Sequence, residues 1–314
     1  MHGELMQPAL APGMLFGGLV CGYLARKTGL VAERWSRPLH LINILVFQAN
    51  ICWMTMWGVT WEWGLVRLPV AGLILSVALT LLGLAAGRVH RFDRRDRVTF
   101  ALCCGMSNLG STGGLLVIRV LVSHEAFEHG LVFLLYWTFF AFLFCFPLAK
   151  HYGSATRTPL RRLILGSLVD IRMLPLAGLI VGLALNGWGP AQPKPVVEPI
   201  VSVMLLCSGF AAMFAIGVAL HLSKIREFVP VYLTQGVVKF IIGPAIAAGL
   251  VLVVGIADPM DVRVVLIQAS LSQAFYSVMF ANILGLNLHL ANSMFLVNTI
   301  GFLVVVFPIL TLLV

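Results

Sequence analysis

The sequence predicts an all-α integral membrane protein of ten transmembrane helices, built as two inverted five-helix repeats with broken crossing helices 4 and 9. Three observations predict it: an apolar excess, ten apolar segments separated by charge or Pro/Gly punctuation, and an internal repeat. Of 314 residues, 60% are hydrophobic and 11% charged, against roughly 45–50% and 25% in soluble domains. Too little polar surface remains to dissolve the chain. A spanning helix takes about 20 apolar residues, so this length is filled by spans and short connections.

In chain order the spans fall near 8–25, 38–58, 67–87, 98–121, 129–149, 173–188, 199–220, 230–255, 262–285 and 290–313. The N-terminus carries Glu4 rather than a basic cluster, so the first apolar run is expected to be kept as a helix. Connections after odd-numbered spans hold sixteen Lys and Arg residues, and those on the other side hold four. By the positive-inside rule the sixteen face the cytoplasm and both termini face out, in a bacterial-type plasma (inner) membrane. The net charge of +9 is then a topology signal, and no nucleic-acid partner is expected. Trp57, Trp61, Trp63 and Trp188 fall at predicted outer boundaries and Trp35 at an inner one, as an aromatic belt requires. The stretch Thr158 to Arg172 alternates apolar and basic faces at helical spacing and reads as an interfacial linker. The predicted organisation is a first repeat over 1–157, a cytoplasmic interfacial linker over 158–172 and a second, inverted repeat over 173–314.

The repeat rests on an offset of 161 residues, which superposes Pro38 on Pro199, Pro69 on Pro230 and Pro147 on Pro308. An odd number of spans per half forces the second half into the membrane in the opposite sense, making spans four and nine equivalent. Both are polar in the middle. The fourth contains CGMSNLGSTGGLL, Cys104 to Leu116, and the ninth QASLSQAFYS, Gln268 to Ser277. Glycines 105, 110, 113 and 114 weaken a continuous helix, and a break in lipid is tolerated only where freed backbone groups find partners. Ser107, Asn108, Ser111 and Thr112 supply them on one side, and Ser270, Ser272, Gln273 and Ser277 on the other. Half-helices beginning near Gly113 and Tyr276 would carry unpaired N–H groups and partial positive charge suited to an anion. The purely structural alternative is close packing through small residues. The expected substrate-binding set is Ser107, Asn108, Ser111, Thr112, Gly113, Ser272, Gln273, Tyr276 and Ser277.

Lys239 is the only charge in the middle of a predicted span, since Arg67, Arg119 and Arg263 stand at span ends and are counted with the connections. It is either a countercharge for an anionic substrate or a partner for helix-end carbonyls; the alternative, slightly preferred from sequence, is a stem that snorkels to the inner headgroups. No Asp or Glu falls inside a predicted span, which disfavours carboxylate-based proton coupling and leaves sodium held by carbonyls and hydroxyls at the crossover as a candidate. Asn43, Gln48 and Asn50 lie in span two, where Gln48 and Asn50 cannot share a face. Histidines 40, 90, 124, 129, 151, 221 and 289 fall at span ends or loops, where solvated or interfacial roles suffice. Six cysteines lie in apolar stretches without metal-ligand spacing; no resident metal and no cofactor is expected.

The chain resembles the auxin efflux carrier family, within the wider superfamily of bile acid:sodium symporter-like carriers. The resemblance is carried by GGLVCGYLARKTGL (Gly17 to Leu30), SNLGSTGGLL (Ser107 to Leu116), AIGVALHL (Ala215 to Leu222) and KFIIGP (Lys239 to Pro244). It implies ten helices in two inverted repeats, crossing at the fourth and ninth, with an elevator-like motion. It also implies that Asn108, at the position of the family's crossover asparagine, contacts a substrate carboxylate. This sequence has Leu115 and Ser272 where the family usually has helix-breaking prolines, and Phe47 where it has a second-helix proline, so its breaks depend on glycine and serine.

The expected function is secondary active transport of a small organic anion, a carboxylate, by alternating access, with the lipid bilayer, sodium or proton coupling and a homodimer as expected partners. The alternatives are a sodium-coupled carrier like the bile acid symporters and a non-transporting receptor or scaffold. An enzyme is not expected: no paired carboxylates, Ser/His pair or metal ligands occur at membrane depth.

Overall fold

A computed structural model describes residues 17–59, 63–110, 113–153, 170–222 and 227–313. The first predicted half-span, most of the Thr158–Arg172 linker, and Ser111 and Thr112 lie outside the described residues. Within them the chain is helical, with one isolated backbone bridge and no strand.

In chain order the helices are α1 (17–27), α2 (Glu33–Trp57), α3 (Gly64–Val89), α4 (Arg94–Gly105), α5 (Gly114–Leu121), α6 (Glu125–Gly153), α7 (Ile171–Trp188), α8 (Lys194–Val218), α9 (Val229–Val254), α10 (Pro259–Ala269), α11 (Phe275–Leu284) and α12 (Leu288–Leu313). Among the described residues seven of them, α2, α3, α6, α7, α8, α9 and α12, are long and apolar enough to cross a membrane. The short pairs α4/α5 and α10/α11 fall where the sequence places its two polar interruptions.

Three long helices contain π turns, at Phe140–Cys145, Val238–Ile242 and Phe302–Val306, each ending two residues before a proline: Pro147, Pro244 and Pro308. The cause is local. Proline has no N–H to donate and its ring crowds the carbonyl four residues back, so a wider turn lets the helix continue. The fourth π turn, Asn43–Gln48, precedes no proline and instead turns polar side chains inward.

The chain forms two compact units, residues 1–62 with 141–219 and residues 63–140 with 220–314. Each draws on both sequence halves, 1–157 and 173–314. In the first unit helices approach closely at glycines. A Cβ at Gly22 would collide with the Phe214 carbonyl and one at Gly217 with the Leu19 carbonyl, seating α1 on α8. At Gly178 and Gly182 a Cβ would stand 2.5 Å from the Ala49 and Trp53 carbonyls, seating α7 on α2. Small residues take this role in lipid because van der Waals contact, not water exclusion, holds spanning helices together. Asn43 Nδ2 donates to the Ser208 carbonyl (2.6 Å) and Gln48 Nε2 to Ser208 Oγ (2.7 Å), pinning α2 to α8. Asn50 turns elsewhere, donating to the Val46 carbonyl at 2.7 Å, as the face argument requires.

An ionic clamp lies in the same unit. Asp170 accepts from Lys150 Nζ at 2.8 Å and from Arg172 Nη2 at 2.6 Å, while both cations lie against the Phe146 ring at 5.9 and 5.4 Å. Burial alone would raise the Asp170 carboxyl; the hydrogen bonds from Arg172 and Lys150 outweigh it and hold the group well below the usual carboxylate range. A depressed folded pKa gives stability that is present above the unfolded value of about 3.9 and is lost as pH falls through the folded one. Thermal stability of the wild type in detergent should therefore owe no pH dependence to Asp170 between about pH 5 and 8. Asp170→Asn should melt lower throughout that range, by an amount that shrinks in high salt.

In the second unit α3 lies along α4, where a Cβ at Gly83 would approach the Ala101 Cα at 2.7 Å. The core behind that contact is Leu75, Leu79, Phe100 and Leu102, continued by Val264, Val278, Met279, Leu290 and Met294, all buried.

Candidate functional site: two interrupted helices paired through their backbones

Helix α4 starts at Asp93, whose side chain accepts from the Asp96 N–H at 2.7 Å, and stops at Gly105. No larger residue fits there, because a Cβ would collide with Thr80 Oγ1. A helix end leaves carbonyls without partners, and in a membrane each must be satisfied by protein. Here the Leu102 carbonyl takes the Met106 N–H (2.9 Å), the Cys103 carbonyl takes Gln235 Nε2 (3.2 Å) and the Cys104 carbonyl takes Lys239 Nζ (3.2 Å). Two side chains one turn apart on α9 thus finish α4.

Helix α10 starts at Asp258, which accepts from the Met260 and Asp261 N–H groups at 2.7 and 3.3 Å. It ends at Ser270, whose hydroxyl and N–H return to the Leu266 and Ile267 carbonyls at 2.8 and 3.0 Å. Beyond the two ends the chains run extended and antiparallel. Asn108 N–H donates to the Ser272 carbonyl and Ala274 N–H to the Met106 carbonyl, both at 2.8 Å, around the bridge Ser107–Gln273. Two helix breaks therefore satisfy each other's backbones, and the Gln273 N–H is taken by Asn298 Oδ1 at 2.7 Å.

The residues expected from sequence divide into two groups. Ser107, Ser272, Gln273 and Ser277 are buried. The Gln273 amide is a hub: Nε2 lies 2.7 Å from Ser277 Oγ, 3.2 Å from the Ala291 carbonyl and 3.2 Å from Cys103 Sγ, and Oε1 accepts from Gln235 Nε2 at 2.7 Å. For Gln273 and Ser277 the structural role is plain. Asn108, Gly113 and Tyr276 stay partly accessible. Gly113 is glycine for a reason of space, since a Cβ would lie 2.8 Å from Asn108 Cγ. Tyr276 stands edge-on to the partly accessible Trp137, with ring centroids 5.7 Å apart. Ser111 and Thr112 belong to the expected set but lie outside the described residues.

Several expectations need correction. The start of α5 does not present unpaired amides: the N–H groups of Gly113, Gly114 and Leu115 are taken by the carbonyls of Gly110, Asn108 and Leu109 at 3.0, 2.9 and 3.1 Å. The loop folds back because its glycines allow it. The start of α11 differs, since its N-cap is Ala274, which has no side-chain oxygen to offer. Lys239 does not snorkel. It is fully buried with Nζ on Cys104 O and, at 2.8 Å, on Ser107 Oγ. A carboxylate does sit within a helix of the fold: α10 begins earlier than hydropathy indicates, which places Asp261 inside it, largely buried, 2.6 Å from His129 Nδ1. His40, read as a span-end residue, lies within α2 and is fully buried, with neither ring nitrogen partnered among the described residues.

Sequence reasoning also passed over Gln235 and Gln268. Both are fully buried, and their Oε1 atoms have no partner among the described residues. A glutamine within an apolar run was the available signal.

A comparison with curated proteins finds no significant match. A family profile described as "Membrane transport protein" matches residues 16–310, nearly the whole chain. With its long apolar helices and two interrupted ones, the chain belongs to that membrane transport protein family, the family of the auxin efflux carriers, and is a multi-pass membrane protein.

Proposed function

We propose that this chain is a secondary carrier for a small organic anion, with its binding site at the paired breaks of α4/α5 and α10/α11. The observation that carries the proposal is the backbone pairing of Asn108 and Ser272, which holds two interrupted helices together and leaves the Asn108 carboxamide beside the partly accessible Gly113. Broken helices are costly in lipid and are kept where they line a substrate path. The Asn108 amide, the first turn of α11 and the nearby charge of Lys239 together favour a carboxylate over a cation.

The inverted-repeat reading is supported by helix bounds. Shifting Glu33–Trp57 by 161 residues gives 194–218, the bounds of α8, and shifting Gly114 gives Phe275, the first residue of α11. The π turns before Pro147 and Pro308 match under the same shift. Ten spans in two inverted halves, both termini outside the cytoplasm, and an elevator-like movement follow as parts of the proposal.

A thermal-shift screen of the purified protein against malate, malonate, an aromatic carboxylate and an amphipathic carboxylate tests it. A ligand at a hundred times its Kd stabilises by about 2.7 kcal/mol, enough for a shift of several degrees. The carboxylate that shifts melting is expected to enter proteoliposomes in labelled form. Binding without flux would point to a receptor instead.

A further inference from the structure

We propose that His129 and Asp261 form a proton site linked to anion binding: with the proton the pair is neutral and admits a carboxylate to the break, and without it the pair carries one negative charge that opposes entry. The inference rests on the carrier reading above and names what is taken up together with the anion. Its basis is a contact between α6 and α10, where His129 Nδ1 stands 2.6 Å from Asp261 Oδ1, with the histidine side chain 19% exposed and the aspartate 13%. An ionised carboxylate only accepts, so Nδ1 carries the hydrogen of that bond, and the proton gained or lost is the one on Nε2. Imidazole changes charge between about pH 5 and 8, and partial exposure lets His129 exchange that proton with water.

The fold connects this pair to the break. Beside His129, Gly130 has no room for a side chain: a Cβ would lie 2.8 Å from Leu115 Cδ2 and 3.1 Å from Ile118 Cδ1, with Gln268 Nε2 at 3.9 Å. Helices α5, α6 and α10 therefore meet at that point. From Asp261, Gln268 lies two turns further along the same face of α10, about 10 Å along its axis. It is fully buried, and its Nε2 reaches the Leu109 carbonyl in the break at 3.4 Å. Buried Val264 and Val265 stand between the two and offer no charge to screen them. Polar groups on the packed elements are engaged elsewhere: Arg67 of α3 donates to the Gly255 carbonyl, Arg119 of α5 lies over the Phe127 ring, the Tyr136 hydroxyl of α6 is bonded to Ser76 Oγ, and Asp258 caps α10. Glu125 and Glu128 of α6 and Arg263 of α10 are exposed, and Lys239 of α9 is held at the end of α4. One unit charge at roughly 10–14 Å, in an interior of effective dielectric near 20, changes the affinity for an anion by about tenfold. By reciprocity, anion binding then takes up a proton.

The experiment is isothermal titration calorimetry of the purified full-length protein with the four carboxylates of the melting screen, at about pH 6 and 8 and constant ionic strength. Each titration is repeated in a second buffer of different ionisation enthalpy, which counts the protons exchanged. The wild type is expected to bind whichever carboxylate it accepts several-fold, and at most about tenfold, more tightly at the lower pH, with net proton uptake. His129→Gln leaves the Asp261 charge unbalanced and should bind weakly at both pH values, at the level of the wild type at the higher one. His129→Gln combined with Asp261→Asn removes both charges, keeps a hydrogen bond between two amides, and should bind tightly at both, without proton uptake. Wild-type binding that ignores pH overturns the proposal, and so does a pH dependence that survives in the double variant. Should the variants fail to fold, the pH dependence and proton count of the wild type decide. Absence of binding by all four carboxylates at both pH values would remove the organic-anion reading and this proposal with it, whereas binding that ignores pH removes this proposal alone.

Discussion

Replacing Asn108 with alanine is expected to lower carboxylate uptake into proteoliposomes by about tenfold or more, with expression and melting temperature close to wild type. A hydrogen bond to a charged group is worth about 1.5–3 kcal/mol, and about 1.4 kcal/mol corresponds to tenfold. The fold should tolerate the change. Two of the contacts that Asn108 makes are main-chain, its N–H to the Ser272 carbonyl and its carbonyl to the Gly114 N–H, and alanine keeps both. Its side chain lies over Gly113, so truncation opens space without a clash. Normal uptake in a well-folded Asn108→Ala protein would remove this residue from the site.

Gln273→Leu is expected to act through stability, lowering the melting temperature by several degrees and uptake with it. The variant removes one of the two acceptors of Gln235 Nε2, leaving it the Cys103 carbonyl, and the donor to the Ala291 carbonyl, both buried. Buried groups left unsatisfied cost about 1–3 kcal/mol each, although hydrogen bonds between spanning helices often measure nearer 0.6 kcal/mol. A total of about 2 kcal/mol follows from two such groups. Gln273→Glu should not rescue, because a carboxylate cannot donate to the Ala291 carbonyl. Wild-type melting in Gln273→Leu would show that the amide hub is dispensable to the fold.

The membrane class and the run of apolar helices were legible because the bilayer imposes a length and a polarity that each segment displays by itself. The two interruptions were legible for the same reason: glycines 110, 113 and 114 with Ser107 and Asn108 stand out against an apolar background. Asp261 was misread because hydropathy assigns a helix start by apolar content, whereas Asp258 capping and Pro259 start α10 before the apolar run. His40 and Lys239 were misjudged for a related reason. A helix position states which side chain is present and not which neighbour covers it.

From the sequence alone came the all-helical membrane fold, the positions of both breaks, the family resemblance and Asn108 as the residue to test. Those features are written in local composition and spacing, and lipid penalises any departure from them residue by residue. Tertiary structure alone decided that Gln273 and Ser277 hold the fold, that the amides opening α5 are already satisfied, and that the Lys239 ammonium closes the end of α4. Each of these depends on which donor meets which acceptor, whether within one turn of chain, within a bent loop or across tens to more than a hundred residues, a choice fixed by helix packing rather than by residue type.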